Sequence, residues 1–170
     1  MSTEYINNKN FEAIIASFQR SKKRKSRFDF IVEDLRDMCQ RKEGRGFIQL
    51  EDKASLEDAL KSQKDSHKGF QEAQGQLAMA FYILSQNIAS YTKFNLVDHD
   101  DAVQEGVMIC FDKVDRFNAD RGKGFNYFTT CILNHFRQIY RSAKNYNELK
   151  KKYNEFMQLK IGDHYANTWI

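Results

Sequence analysis

Proline is absent from all 170 residues, where average usage would supply about eight. Because proline fixes the backbone and breaks helices, its absence favours long helices and disfavours an all-β sandwich or a proline-rich linker protein. Cysteine is scarce as well: Cys39, Cys110 and Cys131 are odd in number, far apart and without a C-x-x-C pair. They read as reduced core thiols, neither a disulfide framework nor a metal site. The longest purely apolar stretch, Leu77 to Leu84, is far short of a membrane span. The opening Met1-Ser-Thr-Glu-Tyr-Ile-Asn-Asn has no signal-peptide core, so a soluble, cytoplasmic protein is expected. No H-E-x-x-H, nucleophile elbow or phosphate loop occurs, and Gly44 and Gly46 lack the third glycine of a dinucleotide loop. His99-Asp100 is the nearest approach to a metal pair, and it sits among helix-start residues. The chain is therefore expected to have no catalytic residue, metal or cofactor.

What is present is apolar, aromatic and charged: 41% apolar residues, 14 Phe and 8 Tyr, with 29% charged. That suffices for one hydrophobic core without staples. Phe11, Ile14, Ile15 and Phe18 form a short helical stripe that runs into the basic segment Lys22, Lys23, Arg24, Lys25 and Arg27. This segment suits a solvated linker, a phosphate-contacting arm or, least of all, a nuclear-import patch. Residues 28–72 mix both charges, with a helix expected around Phe28 to Met38, a turn at Gly44-Arg-Gly46 and a helix from Ser55 to Leu60. From residue 77 the pattern sharpens. Leu77, Ala80, Phe81, Leu84, Ile88 and Tyr91 recur at helical spacing and predict a buried face.

Asp98, Asp100 and Asp101 then suit a helix N-terminus, where side-chain oxygens cap backbone N–H groups and negative charge meets the dipole. The helix that follows carries an apolar stripe, Val103, Val107, Cys110, Phe111, Val114 and Phe117, with Asp101, Glu105, Asp112 and Asp115 on its other side. A turn at 118–124 leads to a third helix from about Asn126 to Ala143, with Phe128, Ile132, His135 or Phe136, Ile139 and Ala143 inward. Thr130, Asn134, Arg137, Arg141 and Lys144 line its opposite face. Residues 98–120 hold seven acids against two bases, and residues 121–160 hold nine bases against two acids. The overall charge of +4 thus conceals a near-cancellation between an acidic and a basic element. An acidic face suits a basic protein partner, and cations beside aromatics in Arg121, Lys123 and Phe125-Asn-Tyr-Phe128 suit the backbone and unpaired bases of a single strand. Phe125 and Phe128 equally fit a core stripe, and spacing leaves both readings open.

Asp101-Ala-Val-Gln-Glu-Gly106, an apolar helix to Val114-Asp-Arg-Phe117, then Asp120-Arg-Gly122 and Phe125-Asn-Tyr-Phe-Thr-Thr130 together resemble the second region of bacterial sigma factors. With Tyr5-Ile-Asn-Asn-Lys9 and Lys150-Lys-Lys-Tyr153, the chain resembles in particular the late-transcription sigma factors of T-even-type bacteriophages. The resemblance covers residues 73–156 well and the N-terminal 20 residues weakly. It implies an all-α fold, a compact helical bundle: an N-terminal helix and basic arm at 1–27, a variable helical insertion at 28–72, a region-two-like domain at 73–160 and a C-terminal tail at 161–170.

The same resemblance implies that Asp101, Gln104, Glu105 and Gly106, with Asp112 and Asp115 after them, dock on the clamp coiled coil of the largest subunit of core RNA polymerase. It implies that Arg121, Lys123, Phe125, Asn126, Tyr127, Phe128 and Thr130 hold the opened non-template strand of promoter DNA. Asn134, His135, Arg137, Gln138 and Arg141 would meet the upstream edge of the promoter element. Housekeeping members place two tryptophans where this chain has Cys131 and Ile132, so base capture would rest on Tyr127 and Phe128 and favour an A·T-rich element. The 26 residues after Lys144 are too few for a helix-turn-helix domain. In the phage family a coactivator and the replication sliding clamp offset that lack, the clamp held by a C-terminal motif that the tail here matches only in its hydrophobic residues. A helical nucleic-acid-binding or polymerase-modulating protein without initiation activity is the competing expectation.

Overall fold

The computed structural model describes residues 7–92 and 96–166, with side chains described as far as 158. Four helices carry nearly all of these residues: α1 (Asn8–Gly44), α2 (Leu50–Thr92), α3 (His99–Val114) and α4 (Gly124–Ala166), with a 3₁₀ turn at Ala119–Arg121 before α4. The fold is all-α, as the missing proline and the helical periodicities imply.

Helix starts follow local chemistry. The Asn7 side chain accepts the Lys9 N–H at 3.1 Å, and the Asp98 carboxylate accepts the N–H groups of Asp100 and Asp101 at 2.9 and 3.4 Å. Both satisfy donors that have no partner within the first turn. The core lies where the first turns of α1 and the second half of α2 meet α3 and the first half of α4. Phe11, Ile15, Leu77, Phe81, Cys110, Val114, Phe128, Ile132 and Phe136 are buried there. Phe11 meets Phe128 edge-on at 5.9 Å and 90°, and Phe81 meets Phe111 at 5.2 Å and 88°. This edge-to-face geometry suits the positive rim and negative face of the rings.

Several local expectations change. Lys22 to Arg27 are neither an arm nor a linker, because they lie inside α1, which runs unbroken to Gly44. The short helices expected at 28–38 and 55–60 are parts of α1 and α2, which pair antiparallel. Phe18 faces Phe70, Asp29 faces Gln63 and His67, and Lys42 faces Asp52. A narrow buried seam of Val32, Cys39, Ser66 and Ala73 holds this hairpin together. Its tip turns at Gly46, whose φ of 74° lies in the left-handed region that glycine enters at least cost. Tyr91, which the spacing puts on the buried face of α2, is 88% exposed, while Ser85 and Ala89 are buried instead. The last helix does not stop at Ala143 but continues to Ala166. The tail at 161–170 and the tyrosine and isoleucine at 5–6 fall outside the described side chains. Among the described residues no helix is long and apolar enough to cross a membrane.

Candidate functional site

The turn between α3 and α4 is built from three restraints. Gln19 on α1 donates from Nε2 to the carbonyls of Val114 and Phe117 at 3.1 and 3.2 Å, tying α1 to the end of α3 and to the turn that follows it. Lys22 forms an ion pair with Asp115 at the start of the turn. The Asn118 side chain accepts the Asp120 N–H at 2.9 Å and opens the 3₁₀ turn. Gly122 then takes φ 155°, a value strained for any side chain.

That turn and the first two turns of α4 enclose a cleft of about 550 Å³ lined by Arg116, Phe117, Asn118, Arg121, Gly122, Lys123, Asn126, Tyr127, Thr130 and Cys131. Three cations stand around aromatic and amide groups. The Tyr127 ring rests at 5.4 Å from Phe117 and edge-on at 5.1 Å from Phe128, which fixes its orientation. Burial, with the neighbouring Cys131, pushes the Tyr127 phenol above its ordinary value, so it stays a neutral donor. Burial likewise pushes the Cys131 thiol up. Such a cleft offers stacking surface, amide and hydroxyl hydrogen bonds, and positive charge for a backbone phosphate. A second cleft on the other side of Arg116, Phe117 and Asn118 reaches Lys22, Lys23 and Ser26 of α1. The basic segment of α1 is therefore held next to the turn by the fold.

Beyond the cleft, Asn134, Arg137, Gln138 and Arg141 are exposed along one side of α4. Arg137 donates to the Asn134 side chain at 3.0 Å. One expected strand contact is corrected and another is narrowed. Phe128 is fully buried between Phe11, Phe81 and Phe117, and Phe125 is partly buried with its edge on Phe11 at 6.5 Å. Phe128 cannot stack on a base without opening the core, and burial of so much aromatic surface decides against that. Ile132 is fully buried as well. His135 is not on the open face either. Its Nε2 lies 2.9 Å from the Glu105 carboxylate, so two residues assigned to different partners hold α3 and α4 to each other.

On α3, Asp101 and Gln104 are exposed, while Gly106 is buried. A Cβ at Gly106 would come within 2.6 Å of the Ser85 hydroxyl and 2.8 Å of its Cβ. This glycine permits close packing of α3 on α2 and is not a docking residue. Asp112 pairs with Lys113 and Asp115 with Lys22, which weakens the acidic stripe at its far end. Beside Gln104 opens an almost wholly apolar groove of about 640 Å³, lined by Gly75, Ala78, Met79 and Tyr82 of α2 and Val107 and Met108 of α3. Met79 is 59% and Met108 66% exposed. Helical periodicity does not reveal this groove, and the one signal for it in the sequence is a pair of methionines falling off both predicted core stripes. Asn118 lies in a turn where no periodicity singles it out, and Arg116, though part of the Val114-Asp-Arg-Phe117 motif, is given no contact by it.

Residues 77–146 match the family model of Sigma-70 region 2. The match begins at the buried part of α2, spans α3 and the turn, and ends on α4 past Arg141. The matched segment is thus similar to region two of the sigma-70 type, from a family of non-enzymatic transcription initiation factors for which binding of core RNA polymerase and promoter DNA is implied. No curated protein and no solved structure matched the chain.

Proposed function

We propose that this protein is a sigma factor for bacteriophage late genes, binding the core RNA polymerase of an infected bacterium and recognising and opening an A·T-rich element of the −10 type. The observation that carries the reading is the cleft at the turn between α3 and α4, where Arg116, Arg121 and Lys123 surround Tyr127, Asn118 and Asn126. Cations for the backbone beside an oriented aromatic ring and amides for bases are what an unpaired strand requires. The exposed side of α4, with Asn134, Arg137, Gln138 and Arg141, continues from the cleft and suits the adjoining duplex. Away from the cleft, Asp101, Gln104 and the apolar groove at Met79, Tyr82 and Met108 offer a mixed acidic and apolar surface to the clamp coiled coil of the largest polymerase subunit.

With Cys131 and Ile132 in place of a tryptophan pair, and with Ile132 and Phe128 in the core, Tyr127 is the one ring in the cleft placed to stack on a captured base. A weak wedge favours an element that melts easily, which supports the A·T-rich reading. A coactivator and a sliding clamp reached through the C-terminal tail are the further partners in this reading.

Run-off transcription with purified core polymerase on an A·T-rich promoter tests the proposal. Specific initiation should need both core and this protein, and the free protein should bind duplex promoter with little sequence preference. Tight promoter-specific binding without polymerase, or no transcript with it, would favour a nucleic-acid-binding or polymerase-modulating protein instead.

A further inference from the structure

Past Arg141 the fourth helix leaves the bundle, and every residue from Lys144 to Gln158 is exposed. An isolated helical stretch in water would be expected to be polar all round. Here it is not. Tyr146, Leu149 and Tyr153 are 65%, 66% and 60% exposed, and Phe156 extends the series. Their intervals are three, four and three residues, the alternation that keeps one edge of a helix apolar along a coiled-coil seam. Helical geometry sets Lys150 and Lys152 about 80° to either side of the centre of that seam. On the back of the helix the charges neutralise one another, Lys144 with Glu148 at 4.0 Å and Lys151 with Glu155 at 3.9 Å. Among the described residues Lys150 and Lys152 enter no ion pair. The seam is thus apolar at its centre, cationic on both borders and balanced behind.

We propose that this seam docks an amphipathic helix of a partner protein whose own apolar stripe is bordered by aspartate or glutamate. Charge complementarity selects that occupant. A second copy of this chain would bring two further lysines to borders whose other residues, Asn145 and Met157, carry no acid to meet them. A helix built to track phosphates would carry its cations at the centre of its contact face, where this one has tyrosine and leucine. The seam is separate from the cleft and from the groove at Gln104, so the inference stands without the proposed function.

Calorimetric titration of the full chain with two synthetic helical peptides tests it. Both carry the same leucine and isoleucine stripe, and they differ only in having Glu or Lys at the bordering positions. The Glu-bordered peptide should bind about tenfold more tightly or better. Lys150→Glu with Lys152→Glu should invert the preference. Leu149→Ser with Tyr153→Ser should weaken binding about tenfold while leaving the far-ultraviolet circular dichroism unchanged, because both side chains are exposed. Equal affinity for the two peptides, no binding of either, or unchanged binding by the serine variant would overturn the proposal. So would self-association of the full chain that the serine variant abolishes, which would make a second copy the occupant.

Discussion

Tyr127 shows how one side chain is prepared for contact by its neighbours. It is half-buried, braced by Phe117 and Phe128, and it faces a cleft rimmed by Arg116, Arg121 and Lys123. Bracing fixes the ring in advance, so a base stacking on it, as proposed, would cost little rotamer freedom. Base stacking on an aromatic ring contributes about 1–3 kcal/mol. Tyr127→Ala is therefore expected to lower open-complex formation with core polymerase by about tenfold or more, read as permanganate reactivity of unpaired thymines. Tyr127→Phe keeps the ring and should retain most of that signal. Equal losses in both variants would mean that the phenol, not the stacking face, is what matters.

At the scale of the helix, α3 and α4 each divide between a packed face and an open one, and the division assigns their charges. Arg137 and Arg141 stand on the open face of α4, so replacing both by Ala should weaken DNA engagement by the polymerase complex. The slope of affinity against salt should fall by about one log-log unit for each phosphate no longer neutralised. An unaltered slope would place those arginines away from DNA. On α3, Glu105 is a poor choice for charge reversal, because its carboxylate holds His135 across the helix pair. Asp101→Lys combined with Met108→Ser leaves that pairing in place and strikes both the acidic and the apolar parts of the outer surface. This variant is expected to co-purify with core polymerase at least about tenfold less well while keeping its thermal unfolding midpoint. Undiminished co-purification would move the docking surface elsewhere.

For the molecule as a whole, the long α1 and α2 hairpin joins a far end with little core to a near end packed on α3 and α4. Where it leaves the bundle, Asp29 accepts hydrogen bonds from His67 at 2.6 Å and Gln63 at 2.7 Å. The bond from His67, then that from Gln63, holds the Asp29 carboxyl below its ordinary 3.8. A carboxyl lowered in the folded state adds stability while it is ionised, above its ordinary value, and loses that contribution as pH falls through the lowered one. Asp29→Asn should therefore reduce the urea midpoint near neutral pH, and the gap from the parent should close as the pH drops below 3.8. A gap of constant size would show that the pair contributes by packing alone.

The amino-acid sequence by itself determined the helical class, the start of α3 at Asp98, the buried faces of α2, α3 and α4 in outline, and the opposed charges of the last two helices. These follow from local rules: capping, spacing and the absence of proline act within a few residues of each other. Only the tertiary structure decided which aromatics of the Phe125 to Phe128 segment face solvent, since Phe128 is claimed by Phe11 and Phe81 from distant helices. It likewise decided that Gly106 is a packing residue, that Glu105 and His135 hold each other, and that Arg116 joins the cleft. Each of these depends on the meeting of residues far apart in the chain, and no pattern along a single helix carries that information.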